Sequence, residues 1–384
     1  MKFIFKIFIS IVVCLSCHIQ AHIVRVLLSE DISGGWAISS ARGVTLRDKK
    51  TNKLFVTGAT SHKIVMSQGQ NTVIVNGKKP PSKAFWIEPS EGHLSFNGNT
   101  YDGIFLVVKQ KNKWLLINAL DIEEYIYSVL KTESWPGWPL EAHKVVAITC
   151  RSYLLNQLLM ATEKDAPFHI RNTNRHQTYQ GIHKSEIIRQ AVQETKGIFV
   201  SHNKYPILAM FDACCGGIVP SKTVGLVNFQ KAPYLARSYP CIYCKDTKIF
   251  QWTTTCSTDQ LISVLQELRS CFVSPISDVK IAHRDDAGIV QRVSIKTKKG
   301  LFNLKGQEFY GSVKGVKSYC FSLFKKGKVV TIEGKGHGHH MGLCQWGARE
   351  MVRLGWEYED ILEFYYPDTQ LMKLVGTADK TELV

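Results

Sequence analysis

Residues 121–159 read DIEEYIYSVLKTESWPGWPLEAHKVVAITCRSYLLNQLL, and the fold turns on them. Before Asp121 the chain alternates in short runs; after it the apolar residues fall at helical spacing. Ile122, Tyr125, Ile126, Val129 and Leu130 share one face of a helix. Asp121 suits the N-cap, and Glu124 stands at the capping-box position. WPGWP stops this helix, because a residue before proline is pushed out of the α region. A second helix starts near Pro139, with Val145, Val146, Thr149, Tyr153 and Leu154 as its buried stripe. Glu133 therefore sits in the last turn of one helix, at a tight connection to the next, with Trp135 and Trp138 beside it.

Working outward, residues 24–118 give runs such as IVRVLLSE, KLFVTG and NTVIVNGKKPPSK, broken by turn residues. This is a β-rich region with hairpins. Beyond residue 170, SEIIRQAVQETKG and TDQLISVLQELRSC read as helices. FVSHNKYPILAMFDACCGG reads as a hairpin of strands, and residues 289–313 as β. GKGHGHHMGLCQWGAREMVRLG is a glycine-rich loop running into a helix, and YEDILEFYYP a last short one. The fold class is α+β: a mixed α/β core over 119–375 behind a β-rich N-terminal domain over 22–118.

The start, MKFIFKIFISIVVCLSCHIQA, has basic Lys2 and Lys6, an apolar core and a polar end. It reads as a secretory signal over 1–21, which places the protein in the periplasm or cell envelope. If uncleaved, that segment is also the one means of membrane association. The net charge of +16 is spread over short lysine runs rather than gathered in one arm, and no nucleic-acid motif accompanies it. A basic exported chain suits an anionic envelope polymer. Eleven cysteines are present. With Cys14 and Cys17 in the signal, an odd number remains, so a free thiol or metal ligation is implied.

Three stretches resemble the SpoIID/LytB family of sporulation and cell-division proteins. LKTESWPGWPLEAHKVVAITCRSYLL resembles its signature of a glutamate before a WP-x-EA-x-K helix ending in Arg-Ser/Thr-Tyr. FDACCGGIVPS with PYLARSYP resembles its Cys-Gly-Gly turn, and GKGHGHHMGLCQWGARE with FYYP its C-terminal blocks. The resemblance implies a lytic transglycosylase of peptidoglycan acting on peptide-stripped glycan strands at division or sporulation-like septa, with Glu133 as catalytic acid. LytB-like members imply an alternative, a glycan-binding enhancer of a peptidoglycan amidase.

The chemistry can be reasoned separately. Most glycosidases need two carboxylates. A lytic transglycosylase manages with one, because the muramic acid C6 hydroxyl attacks its own C1 and is tethered. Trp135 and Trp138 could raise the pKa of Glu133 by excluding water, and could stack on sugar rings. Arg151 and Tyr153 are candidates for positioning substrate, while Glu141 suits a helix start. His339, Gln345 and Trp346 are candidates to line a glycan groove, since glycines let backbone approach a ligand. His337, His339 and His340 form a rival metal set, but their spacing is not that of a zinc helix.

Cys241-Ile-Tyr-Cys244 has the spacing of a zinc knuckle. A structural Zn²⁺ on Cys215, Cys241 and Cys244, completed by His176 or Cys214, is one reading; a disulfide is the other. Some relatives hold zinc at the segment matching PFHIRNTNRHQTYQG, but here that segment has His169 and His176 and no cysteine.

Overall fold

The computed structural model describes residues 23–374, apart from 68–71, 163–165, 174–175 and 271–274. The signal segment and Cys271 lie outside the described residues. The protein is α+β. Its helices among the described residues are α1 (Ile122–Glu133), α2 (Leu140–Thr162), α3 (Glu186–Glu194), α4 (Thr258–Arg269), α5 (Gly306–Ser312), α6 (Gln345–Arg353) and α7 (Tyr358–Tyr365).

The N-terminal strands join one ten-stranded sheet. Strand Ile23–Ser29 lies between Lys113–Asp121, antiparallel, and Ile170–Arg171, parallel. Alternation puts Val24 and Val26 on the inner face, where they share one core with Leu116, with Ile122, Ile126 and Val129 of α1, and with Val146 and Leu154 of α2. The sheet and the helical pair are thus packed across the 118/119 boundary. Strand Lys113–Asp121 ends on the N-cap of α1, where Asp121 Oδ1 accepts from the Glu123 N–H at 2.7 Å. Glu124 does not close a capping box; its carboxylate pairs with Arg189 at 2.7 Å.

Helix α2 is buried on almost every side. Val146, Ala147, Cys150 and Leu154 face the first core, while Val145 and Ile148 face a second one with Leu343, Ala348 and Tyr365. A helix apolar all round belongs inside a molecule, and α2 is the central post between the two cores.

Residues 251–335 pack around a third core of their own, with Leu261, Leu265, Val293, Ile295, Phe309 and Ile332. Two three-stranded sheets build it. Its first and last strands are neighbours, Gln251 opposite Lys335, so this unit leaves and re-enters the rest of the fold at one place. The stretch 289–313, read as β throughout, ends instead in α5. The strand pair expected at 199–217 is real only in its first half. Ile198–His202 pairs with Tyr205–Pro206, whereas Phe211–Asp212 pairs in parallel with Leu343–Cys344.

Candidate functional site

Helix α1 ends at Glu133 because Ser134 turns extended (φ −131°, ψ 165°), and its N–H and hydroxyl both donate to the Leu130 carbonyl. The connection then turns through Gly137 at φ +81°, a left-handed conformation that suits glycine. The Glu133 side chain is half-buried, and Oε1 accepts the Thr178 N–H at 2.7 Å. Burial raises the carboxyl's pKa above its usual 4.5, and hydrogen bonds from Thr178 offset part of that rise. Thr132 Oγ1 fixes the same loop by donating to the Thr178 carbonyl at 2.6 Å.

The N-terminal sheet presses on this loop from behind. The Ile182 N–H donates to the Thr100 carbonyl at 2.8 Å. Gly181 has φ +78°, and a Cβ there would lie 2.1 Å from the Thr100 oxygen. The β-rich region thus sets the height of the segment that orients the acid.

A second wall, packed on the connection after Glu133, comes from the far end of the chain. Gln345 Nε2 donates to the Glu133 carbonyl at 2.6 Å. Trp346 meets Trp135 and Trp138 edge-on, with centroids 5.8 and 5.7 Å apart. Trp135 is 45% exposed, whereas Trp138 and Trp346 are buried. Lys248 Nζ lies 5.4 Å from the Trp135 ring and 5.6 Å from Trp346. The connection that follows Glu133 therefore carries an exposed indole with a cation near its ring.

Behind that wall, Cys215, Cys241, Cys244 and Cys344 bring their sulfurs within 4.8 Å of one another, all buried. A tetrahedral zinc with Zn–S bonds of about 2.3 Å needs S···S edges of about 3.8 Å, and Cys215 and Cys244 stand 3.8 Å apart. The surroundings suit thiolates. Cys344 Sγ accepts N–H bonds from Cys215 (3.2 Å) and Gly347 (3.3 Å), and Tyr365 Oη lies 3.1 Å from Cys241 Sγ. A Cβ on Gly347 would come within 2.8 Å of Cys241 Sγ, so that position must stay bare. Bonds with neighbouring thiols hold Cys244 and Cys241 low and push Cys215 up, while burial pushes Cys344 up. The eight described cysteines outside the signal are free thiols. This buried four-cysteine cluster has the donor chemistry and spacing to hold a metal ion.

The family model described as stage II sporulation protein, SpoIID, matches residues 110–202, which carry α1, Glu133, α2 and the Thr178 loop. A domain of unknown function matches 241–342 and takes in the separately cored unit. An uncharacterized protein of Brachyspira hyodysenteriae is 27% identical over 90% of this chain and 91% of its own length. Stage II sporulation protein D of Bacillus subtilis is 24% identical over 69% of the chain and 78% of its own length. The amidase enhancer of the same organism is 28% identical over 63% of the chain, which spans 39% of that protein. The SpoIID model over 110–202 and these relatives support a SpoIID/LytB assignment for the chain.

The residues that the SpoIID resemblance singled out separate into groups. Glu133, Trp135, Gln345 and Trp346 come together as described. Trp138 is 5% exposed and supports Trp346 instead of offering a face to a sugar. Arg151 does not reach the site. It is fully buried and bidentate to Glu123, at 3.0 and 2.6 Å, because the all-round burial of α2 leaves it no route to solvent. Tyr153 is half-buried, its phenol pushed up to about 12 by burial, beside His176. His176 is therefore not the fourth metal ligand, and neither is Cys214, whose backbone pairs with His337; Cys344 takes that place. Glu141 accepts the Tyr358 N–H at 3.0 Å and so ties α2 to α7. The histidines do not converge on a metal. His339 Nδ1 accepts from the Met341 N–H and burial holds it down to about 4, while His340 Nδ1 faces the Cys215 carbonyl. Thr178 and Lys248 went unread, since a backbone donor and a lone lysine leave no pattern. Cys344 stood in the glycine-rich stretch with nothing in its spacing to join it to Cys215, Cys241 and Cys244.

Proposed function

We propose that this protein is an exported lytic transglycosylase that cleaves peptide-stripped peptidoglycan strands, with Glu133 as its single acid and base. The observation that carries this reading is the half-buried Glu133 carboxyl, its pKa raised, held by the Thr178 N–H beside the exposed Trp135 ring. In the protonated state Glu133 donates to the glycosidic oxygen as the C1–O bond breaks. The C6 hydroxyl of the same muramic acid then closes on C1 and returns its proton to the carboxylate, leaving a 1,6-anhydro end. No water and no second carboxylate are required. Trp135 supplies a face for a pyranose ring, and Lys248 beside it suits the lactyl carboxylate of a muramic acid freed of its peptide. The four cysteines would hold a structural zinc, whose role is to lock loops together and not to touch substrate.

Incubation with peptide-free glycan strands, followed by mass spectrometry, tests the proposal. Wild type should yield 1,6-anhydromuramic ends and Glu133→Gln should not; equal yields would reject catalysis. The likeness to an amidase enhancer favours a second reading, in which the same wall grips glycan for a partner amidase. Under that reading Glu133→Gln binds and stimulates as wild type does, and neither variant produces anhydro ends.

A further inference from the structure

We infer that the four-cysteine centre is the clamp that holds the Gln345–Trp346 wall against Glu133, so that metal loading sets the geometry of a site the metal never touches. The inference rests on reading the cluster as a metal centre. It joins three segments distant in sequence: the turn after Phe211–Asp212 through Cys215, the 241–244 loop, and the start of α6 through Cys344. Cys344 is both a sulfur of the cluster and the N-cap of α6, and the next two residues are the wall itself. Gln345 bonds the Glu133 carbonyl, and the Trp346 N–H donates to the Ala213 carbonyl at 3.0 Å, two residues before Cys215.

This corner also packs in the second core through Leu343, Ala348 and Met351, but its backbone pairing is short. The strand pairing there is two residues long, Phe211 with Leu343 and Asp212 with Cys344. A two-residue parallel bridge is weak by itself, and a bond from Cys344 to a shared ion would fix its register. The loop that arrives before it holds a side-chain-bearing residue, His340, in the left-handed region at φ +68°. Held strain needs an anchor at the loop's end.

Charge supports the same assignment. Four thiolates on a divalent ion carry a net charge of −2, which is costly in a buried place without a counter-ion. Arg237 is 1% exposed and has no carboxylate partner among the described residues. Its Nε and one Nη lack hydrogen-bond partners, and its guanidinium lies 5.6 Å from the centroid of the Tyr365 ring. That ring's hydroxyl touches Cys241 Sγ. Arg237 also lies 5.5 and 5.4 Å from the Tyr239 and Phe364 ring centroids, and its other Nη donates to the Tyr239 carbonyl. A buried cation with two unpartnered nitrogens, one phenol ring from the sulfurs, suits an anionic metal–thiolate cluster.

The test uses the reduced full chain. Metal analysis should find one zinc per chain, and cobalt in its place should show thiolate-to-metal charge transfer. If neither metal binds, the metal reading fails and the clamp with it. Chelation of the loaded protein should then accelerate amide exchange across 343–353 by about tenfold or more, with the N-terminal sheet unchanged. Unchanged protection at 343–353 would overturn the clamp while leaving the metal centre standing. Gln345→Ala keeps the zinc; it should lower affinity for peptide-free glycan strands about as much as chelation does, and re-added zinc should rescue chelated wild type but not this variant. Wild-type affinity in Gln345→Ala, or in chelated protein, would also overturn the clamp.

Discussion

Glu133 is held in a place where its proton is hard to lose. Burial raises its pKa above 4.5, so folding disfavours the ionised form. Its contribution to stability is full below the unfolded-state value and is lost as pH rises through the raised folded value. Glu133→Gln removes that dependence. Urea midpoints of the two proteins should therefore shift in favour of the variant as pH goes from about 4 to about 8; a constant difference would show the carboxyl to be solvated. Cleavage by wild type should fall over the same rise, and Glu133→Gln should lose about 10²–10⁴-fold at any pH. Arg151 belongs to stability. Arg151→Ala strands Glu123 with its partner gone and should cost about 3–5 kcal/mol in denaturant titration; loss of activity with unchanged stability would return it to the site. Glu133 was legible from its neighbours in sequence. Arg151 was not, because spacing shows which face a residue takes on its helix but not whether that face meets solvent or a second core.

Two elements bear most of the site. The start and stop of α1 were readable from Asp121 and WPGWP, and the burial of its stripe follows. In α2 the run KVVAITCRSYLL, read as one stripe, is buried on almost every side, its polar Thr149, Arg151 and Ser152 included, as in a central helix. The N-terminus of α6 rests on the sulfur cluster, and its first turn passes close over it. At Gly347 a Cβ would lie 2.3 Å from Tyr365 Oη and 2.8 Å from Cys241 Sγ. Gly347→Ala should therefore weaken metal binding about 10–100-fold in chelator competition, with α1 and the sheet intact by amide exchange. Undiminished metal affinity would mean that the cluster has room to spare. The fourth sulfur was hidden in sequence because Cys344 is more than a hundred residues from Cys215, and only the two-residue bridge between their strands brings them together.

At the scale of the molecule, three cores divide the work. The first seats the acid, the second backs the Gln345–Trp346 wall, and the third belongs to a unit at 251–335 that is attached by adjacent ends. A fragment of residues 250–336 should fold alone and melt in a single transition by circular dichroism; an unstructured fragment would show that the unit borrows its core. That division escaped the sequence reading because alternating runs continue across 251–335 with no linker to mark its edges. The contact between Gln345 and Glu133 spans 212 residues of chain. A nascent polypeptide completes the sheet, α1 and its carboxyl long before residues 343–346 leave the ribosome. Under the proposed activity, a product that stops before residue 343 would carry the acid without its second wall, and cutting would begin only once residues 343–346 have been made.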